Sequence, residues 1–232
     1  SGSMSGDKIR DVKSAAIRLI GNLKDDDRVT LISYSSSVRR HETQVFANSD
    51  GKARLKSHVL GLRSHGSTAL GPALFDAFDA FKSNGSSVSR LSHVILLSDG
   101  LANVGEKRPS VLAARCGAAF RRGISVSTMG VGLNYNEDLM TKLADNGGGR
   151  YHFIKESHAI ASVLQDEFKG LVATVARNLS LVIKPVPGVR VEKVFGYPTR
   201  YSGNTVTTAI GFMGGSQSRE VLVQVSIEPD MI

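Results

Sequence analysis

The chain has 232 residues, 41% of them hydrophobic and 22% charged, which suits one large globular domain or a medium one with a small companion. Its single cysteine, Cys116, excludes an internal disulfide framework, and it contains no apolar run of the ~18 residues that a membrane-spanning helix needs. A net charge of +8 raises the question of a nucleic-acid partner. The positive residues are scattered, however (Lys8, Arg10, Lys13, Arg18, Arg39, Arg40, Lys52, Arg54, Lys56, Arg121, Arg122), with no recognition helix or aromatic-interleaved basic strand among them. A solvated basic surface that steers acidic partners is therefore expected.

The chain opens on Ser1-Gly2-Ser3-Met4-Ser5-Gly6, two hydroxyls two residues apart among glycines. Ile9, Val12, Ala16, Leu19, Ile20 and Leu23 follow at helical spacing and predict a helix over 8–23, so the serine loop sits above a helix start. Its oxygens suit a hard cation such as magnesium, which takes about six oxygen ligands and keeps some waters. Residues 28–34 predict an interior strand, 41–47 its antiparallel edge neighbour, and 50–62 a helix.

A second hydroxyl-bearing turn, Gly66-Ser67-Thr68-Ala69-Leu70-Gly71-Pro72, opens a helix that continues through Phe81 to a break at Ser83-Asn84-Gly85-Ser86. Pro72 stands near its first turn, where a missing N–H does no harm. Residues 93–97 form the most apolar strand, and it delivers Asp99 at its C-terminal end. Taken alone, Asp99-Gly100 reads first as a turn in which the aspartate bonds its own backbone; beside the serine and threonine loops the site reading is preferred.

Residues 109–122 predict a helix whose apolar face buries Cys116 as a small hydrophobe. A strand over 124–131, a helix over 137–144, a turn at Gly147-Gly148-Gly149, a strand over 150–154 and a helix over 158–177 follow. Beyond them the texture changes. Runs at 179–183, 189–195, 205–210 and 221–227, separated by Pro185-Val186-Pro187-Gly188, Ser202-Gly203-Asn204 and Gly214-Gly215-Ser216, predict antiparallel strands. The fold class expected is α/β, a doubly wound, mostly parallel, Rossmann-like sheet over 1–177, followed by a small antiparallel β region over 178–232.

In an open α/β sheet, ligands collect at the carboxyl ends of the strands, so the serine, threonine and aspartate loops are placed to share one site. With these three motifs the chain resembles a von Willebrand factor A-type domain with a metal-ion-dependent adhesion site. That site combines an Asp-x-Ser-x-Ser loop, a threonine loop and an aspartate loop. The resemblance implies Ser1, Ser3, Thr68 and Asp99 as metal ligands and Gly66, Ser67 and Gly100 as ligand-binding neighbours. It implies Mg2+, with Mn2+ or Ca2+ as alternatives, and a protein partner whose Asp or Glu completes the octahedron. It also implies that the 178–232 strands belong to a β-sandwich into which the A-type domain is inserted, as in bacterial multidomain members, and it leans toward an extracytoplasmic or cell-surface setting.

The sequence departs from the family pattern at one place. The first aspartate would lie two residues before Ser1, and the central strand that carries it is missing too. Residues preceding Ser1, or another segment filling the slot, are expected to supply them.

The alternatives are an intracellular assembly or scaffold factor working beside an ATPase or another complex, and a metal-dependent hydrolase. For catalysis the sequence offers little. Its six histidines form no His-Glu-x-x-His pair, Gly2-Ser3-Met4-Ser5-Gly6 has the wrong spacing for a nucleophile elbow, and Gly130-Val131-Gly132 lacks the third glycine of a dinucleotide fingerprint. His65, beside the threonine loop, is expected to be a loop surface residue.

Overall fold

The computed structural model describes residues 1–81, 91–214 and 218–228. The break expected at Ser83-Asn84-Gly85-Ser86 and the Gly215-Ser216 part of the later turn lie outside the described residues.

Strand β4 in chain order, Ile124–Val131, is buried at every residue, the mark of a strand covered on both faces. It lies between β3 (Ser92–Ser98) and β5 (Gly148–Ile154) and runs parallel to both, in register with β3 from Ser92↔Ile124 to Ser98↔Gly130. Alternation along β4 divides the core. Ile124 and Val126 pack with Leu70 and Leu74 of α3 (Leu70–Asp79), Leu112 and Cys116 of α4 (Pro109–Phe120), and Leu139 and Leu143 of α5 (Glu137–Gly147). Met129 and Val131 point the other way, toward Ala15 of α1 (Asp7–Asn22) and Ile160 and Leu164 of α6 (Ile160–Val172). The doubly wound sheet with helices on both faces is therefore present, and Cys116 is fully buried, its thiol pushed up to about 12 by that burial.

Strands β1 (Arg28–Tyr34) and β2 (Val38–Phe46) form an antiparallel hairpin backed by Leu55 and Val59 of α2 (Ser49–Leu60). Strand β1 meets the expectation of an interior strand on one side only. It pairs with β2, while its other edge has no described strand partner. A cavity of about 1390 Å³ lies there, lined by residues 29–34 of β1 and 92–98 of β3 together with Ser1 and Met4.

Two sequence expectations are corrected. The glycine turn at 147–149 contracts to a single left-handed residue: α5 runs through Gly147, Gly148 at φ +64° ends it, and β5 begins at that same glycine. The helix expected over 158–177 divides into a 3₁₀ turn (Ser157–Ala159) and α6, and from Thr174 the chain is already in β6 (Thr174–Ile183). The run Val172-Ala173-Thr174-Val175 is rich in β-branched residues, which favour strands over a last helical turn, and β6 finds its partner in β9 (Thr205–Gly214).

Strand β8 (Thr199–Ser202), absent from the sequence reading, makes a tight hairpin with β9 across Gly203, giving the order β6-β9-β8. A second small sheet pairs β7 (Val189–Val194) with β10 (Val223–Ile227). Val191, Val194 and Val206 form a core of their own with Ile183 and Val223. Gly211 of β9 is where this region meets the α/β layer, since a Cβ there would sit 2.9 Å from the Phe120 ring.

Candidate metal centre

The serine loop winds into a 3₁₀ turn over Gly2–Met4, anchored by the buried Met4. The tight winding brings the hydroxyls of Ser1 and Ser3 to 2.7 Å of each other. Asp99, delivered by β3 and only 1% exposed, accepts from both on a single oxygen, Oδ1, at 2.8 and 2.7 Å. Ser1 Oγ, Ser3 Oγ and Asp99 Oδ1 thus form a nearly equilateral triangle.

Neighbouring ligands of an octahedral ion with ~2.1 Å bonds stand about 3 Å apart, so this triangle has nearly the dimensions of one octahedral face. A Cβ built on Gly100 would lie 3.2 Å from Ser3 Oγ, 3.3 Å from Thr68 Oγ1 and 3.9 Å from Ser1 Oγ. The three hydroxyls therefore converge beside Gly100, where a methyl group would crowd those of Ser3 and Thr68 by a few tenths of an ångström. Among the described residues no group of three or more His, Cys, Asp or Glu gathers in metal-binding fashion. The donor set here is hydroxyls with one carboxylate, which fits a hard, oxygen-seeking cation rather than a soft one.

The loops are held by backbone bonds rather than by chance proximity. Gly2 N donates to Gly66 O at 2.9 Å, joining the serine and threonine loops, and Ala69 N donates to Ser35 O at 2.7 Å. Gly66 adopts φ +65°, and a Cβ there would meet Ser36 Oγ at 2.5 Å, so this position needs glycine both for its backbone and for space. Ser67 is fixed through its N–H, which donates to Ser36 Oγ at 3.0 Å. Thr68 is clamped in both directions, its N–H donating to Asn103 Oδ1 at 2.8 Å and its carbonyl accepting from Asn103 N at 3.1 Å.

Every expected site residue, Ser1, Ser3, Gly66, Ser67, Thr68, Asp99 and Gly100, therefore falls in one cluster. His65 is exposed on the loop, as expected of a surface residue.

The sequence reading missed four contributors. Asn103 and Ser36 lock the threonine loop as described. Tyr34 crosses from the end of β1 to donate to Leu97 O at 2.6 Å; burial, then the charge of Asp99, raises its pKa well above the ordinary tyrosine value despite the opposing bond with Ser98. Lys8, in sequence one of several scattered helix charges, is the fourth. It places Nζ 3.0 Å from Asp99 Oδ2, the oxygen that the serines leave free. Its signal in the sequence was position: it stands in the first turn of α1, immediately after the serine loop.

Comparison with known proteins gives concordant results. The sequence matches the von Willebrand factor type A domain family over residues 1–167. It is 28% identical over 202 residues to inter alpha-trypsin inhibitor, heavy chain 4, of Mus musculus, covering 85% of this chain and 21% of that one. Among solved structures, a von Willebrand factor type A protein from Catenulispora acidiphila superposes with a TM-score of 0.84 at 22% identity, over 99% of this chain and 56% of that one. Proximal thread matrix protein 1 from the mussel byssus, solved with a zinc-occupied metal-ion-dependent adhesion motif, gives a TM-score of 0.60 at 15% identity, over 79% of this chain and 47% of that one. The chain thus spans about a fifth of the curated relative and about half of each solved structure.

Proposed function

The chain belongs to the von Willebrand factor type A domain family, and from that membership we propose that it is a protein-binding module of the adhesion type. Ser1, Ser3, Thr68 and Asp99 hold a Mg2+-type divalent ion, with Mn2+ or Ca2+ as substitutes, and a partner's Asp or Glu completes its coordination. The observation that carries this reading is the three-oxygen triangle facing the cradle above Gly100.

When bound, the ion supplies a Lewis-acidic position for an external carboxylate. Asp99 is the one carboxylate among these four donors, so the dication keeps positive charge, which favours an anionic ligand. The zinc-occupied motif of the mussel protein supports a metal at the corresponding place in this fold.

A binding role is preferred to catalysis because the one carboxylate among these donors is assigned to the metal in this reading, which leaves it unavailable as a general base.

The test is selection from a random displayed-peptide library in Mn2+ and in EDTA. Peptides carrying Asp or Glu are expected to be enriched in Mn2+ alone, and equal enrichment in chelator would overturn the reading. Gly100→Ala supplies a companion prediction. Its methyl group would press on Ser3 and Thr68, so Mn2+ affinity measured by calorimetry is expected to fall about tenfold. Urea denaturation of the metal-free variant should change little, since Gly100 has no positive φ to lose.

A further inference from the structure

Asp99 carries two ligands of different kinds on its two oxygens. Oδ1 takes the hydroxyls of Ser1 and Ser3, while Oδ2 takes the ammonium of Lys8 at 3.0 Å. The aspartate side chain is fully buried and the lysine side chain 30% exposed. Lys8 stays within reach because it stands in the first turn of α1, directly after the serine loop. Its stem runs past Gly132, the residue that follows β4: a Cβ at that position would stand in ordinary contact, 3.4 Å from Nζ and 3.7 Å from Cε. An ammonium bonded to one oxygen of a carboxylate cancels the charge that a metal would seek on the other.

We propose that Lys8 is a tethered counter-ion that sets the metal affinity of this centre, balancing Asp99 when the cradle is empty and opposing the dication when it is filled. The inference rests on the metal-binding reading above. Its consequence is coupling between metal and partner. With Lys8 present, the carboxylate that Asp99 offers the cradle is already compensated, so an arriving dication gains less from it and is held more weakly by the protein alone. A partner's carboxylate then supplies the anion that Lys8 has cancelled, and each ligand strengthens the binding of the other. Lys8 acts here as a positioning and charge-setting residue and is not itself a ligand.

The experiment is calorimetric titration of Mn2+ into the wild-type protein, Lys8→Met and Lys8→Arg, with the thermal midpoint of each protein in EDTA. Lys8→Met keeps an unbranched side chain without the charge, and it should bind Mn2+ about tenfold more tightly. Its midpoint in EDTA should fall, because Asp99 is then buried without its counter-ion. Lys8→Arg, which restores the charge, should bind within about twofold of wild type. A merely structural lysine would weaken Mn2+ binding on removal, through a loosened loop.

Mn2+ binding by Lys8→Met that equals or falls below that of wild type overturns the proposal and leaves the metal centre standing. Absence of Mn2+ binding in all three proteins overturns both. Should Lys8→Met fail to fold, Lys8→Gln, which retains a hydrogen-bond donor, replaces it with the same expected direction.

Discussion

Asp99→Asn is expected to reduce divalent-cation affinity by at least about 100-fold, close to 3 kcal/mol, while leaving the fold intact. Asp99 is the carboxylate on which the whole cluster converges, receiving Ser1, Ser3 and Lys8 on its two oxygens. Asparagine preserves the size of the side chain and one acceptor oxygen but removes the charge. What remains is a set of neutral donors beside an unbalanced lysine, a surrounding that repels a dication. Two unit charges ~4 Å apart interact by about 4 kcal/mol at an effective dielectric near 20, so loss of the anion outweighs any change in hydroxyl geometry. Titration of Mn2+ into the variant, with urea denaturation in EDTA as the control for folding, provides the check. Retention of wild-type affinity would remove Asp99 from the centre.

The second large effect concerns stability rather than binding. Glu167 on α6 is 2% exposed and lies beneath the sheet, away from the metal centre. Ser127 of β4 donates to its Oε1 at 2.5 Å, His152 of β5 hydrogen-bonds its Oε2 at 2.9 Å, and His93 Nε2 of β3 stands 3.4 Å from Oε1. His93 in turn shares a 2.6 Å bond with Ser125. One carboxylate thus ties α6 to three adjacent strands. Removing one partner of such a buried charged cluster leaves the others uncompensated, and Glu167→Ala is expected to lose about 3–5 kcal/mol of unfolding free energy.

The pH dependence follows from the same contacts. Burial pushes the Glu167 carboxyl upward, but the bonds from His152, His93 and Ser127, with the charge of His93, together outweigh it and hold the group well below the ordinary carboxylate range. The stabilisation is therefore complete above the unfolded value of about 4.3 and is lost as pH falls below it. Unfolding curves of wild type and Glu167→Gln should be well separated at neutral pH and should draw together progressively as pH falls below about 4 toward the much lower folded value. A constant separation across that range would assign the loss to packing alone.

Much of the site was legible because its chemistry is local in sequence. Ser1 and Ser3 are two residues apart, Thr68 opens a helix and Asp99 ends an apolar strand, so each motif announced its own loop. The parallel order of β3, β4 and β5 followed from the alternation of apolar strands with amphipathic helices. What escaped depends on distance. Lys8 looked like one charge among many until the fold placed Asp99 against it, and Asn103 acquires meaning only through Thr68, 35 residues away. The Glu167 cluster unites α6 with three strands, and none of its four side chains has a distinctive neighbour in the chain. The end of α6 escapes because Thr174 and its neighbours answer to the far end of β9, about forty residues later, and not to the helix preceding them. Strand β8 escaped for its brevity, four residues whose pairing rests on a tight turn at Gly203.

The central claim is that the Ser1, Ser3 and Thr68 hydroxyls and the Asp99 carboxylate hold one divalent ion. Anomalous diffraction from a crystal grown with Mn2+ tests it most directly. A single strong peak is expected over Gly100, within about 2.5 Å of at least two of the oxygens Ser1 Oγ, Ser3 Oγ, Thr68 Oγ1 and Asp99 Oδ1. A Mn2+ peak elsewhere, with the triangle of oxygens still closed upon itself at saturating metal, would contradict it.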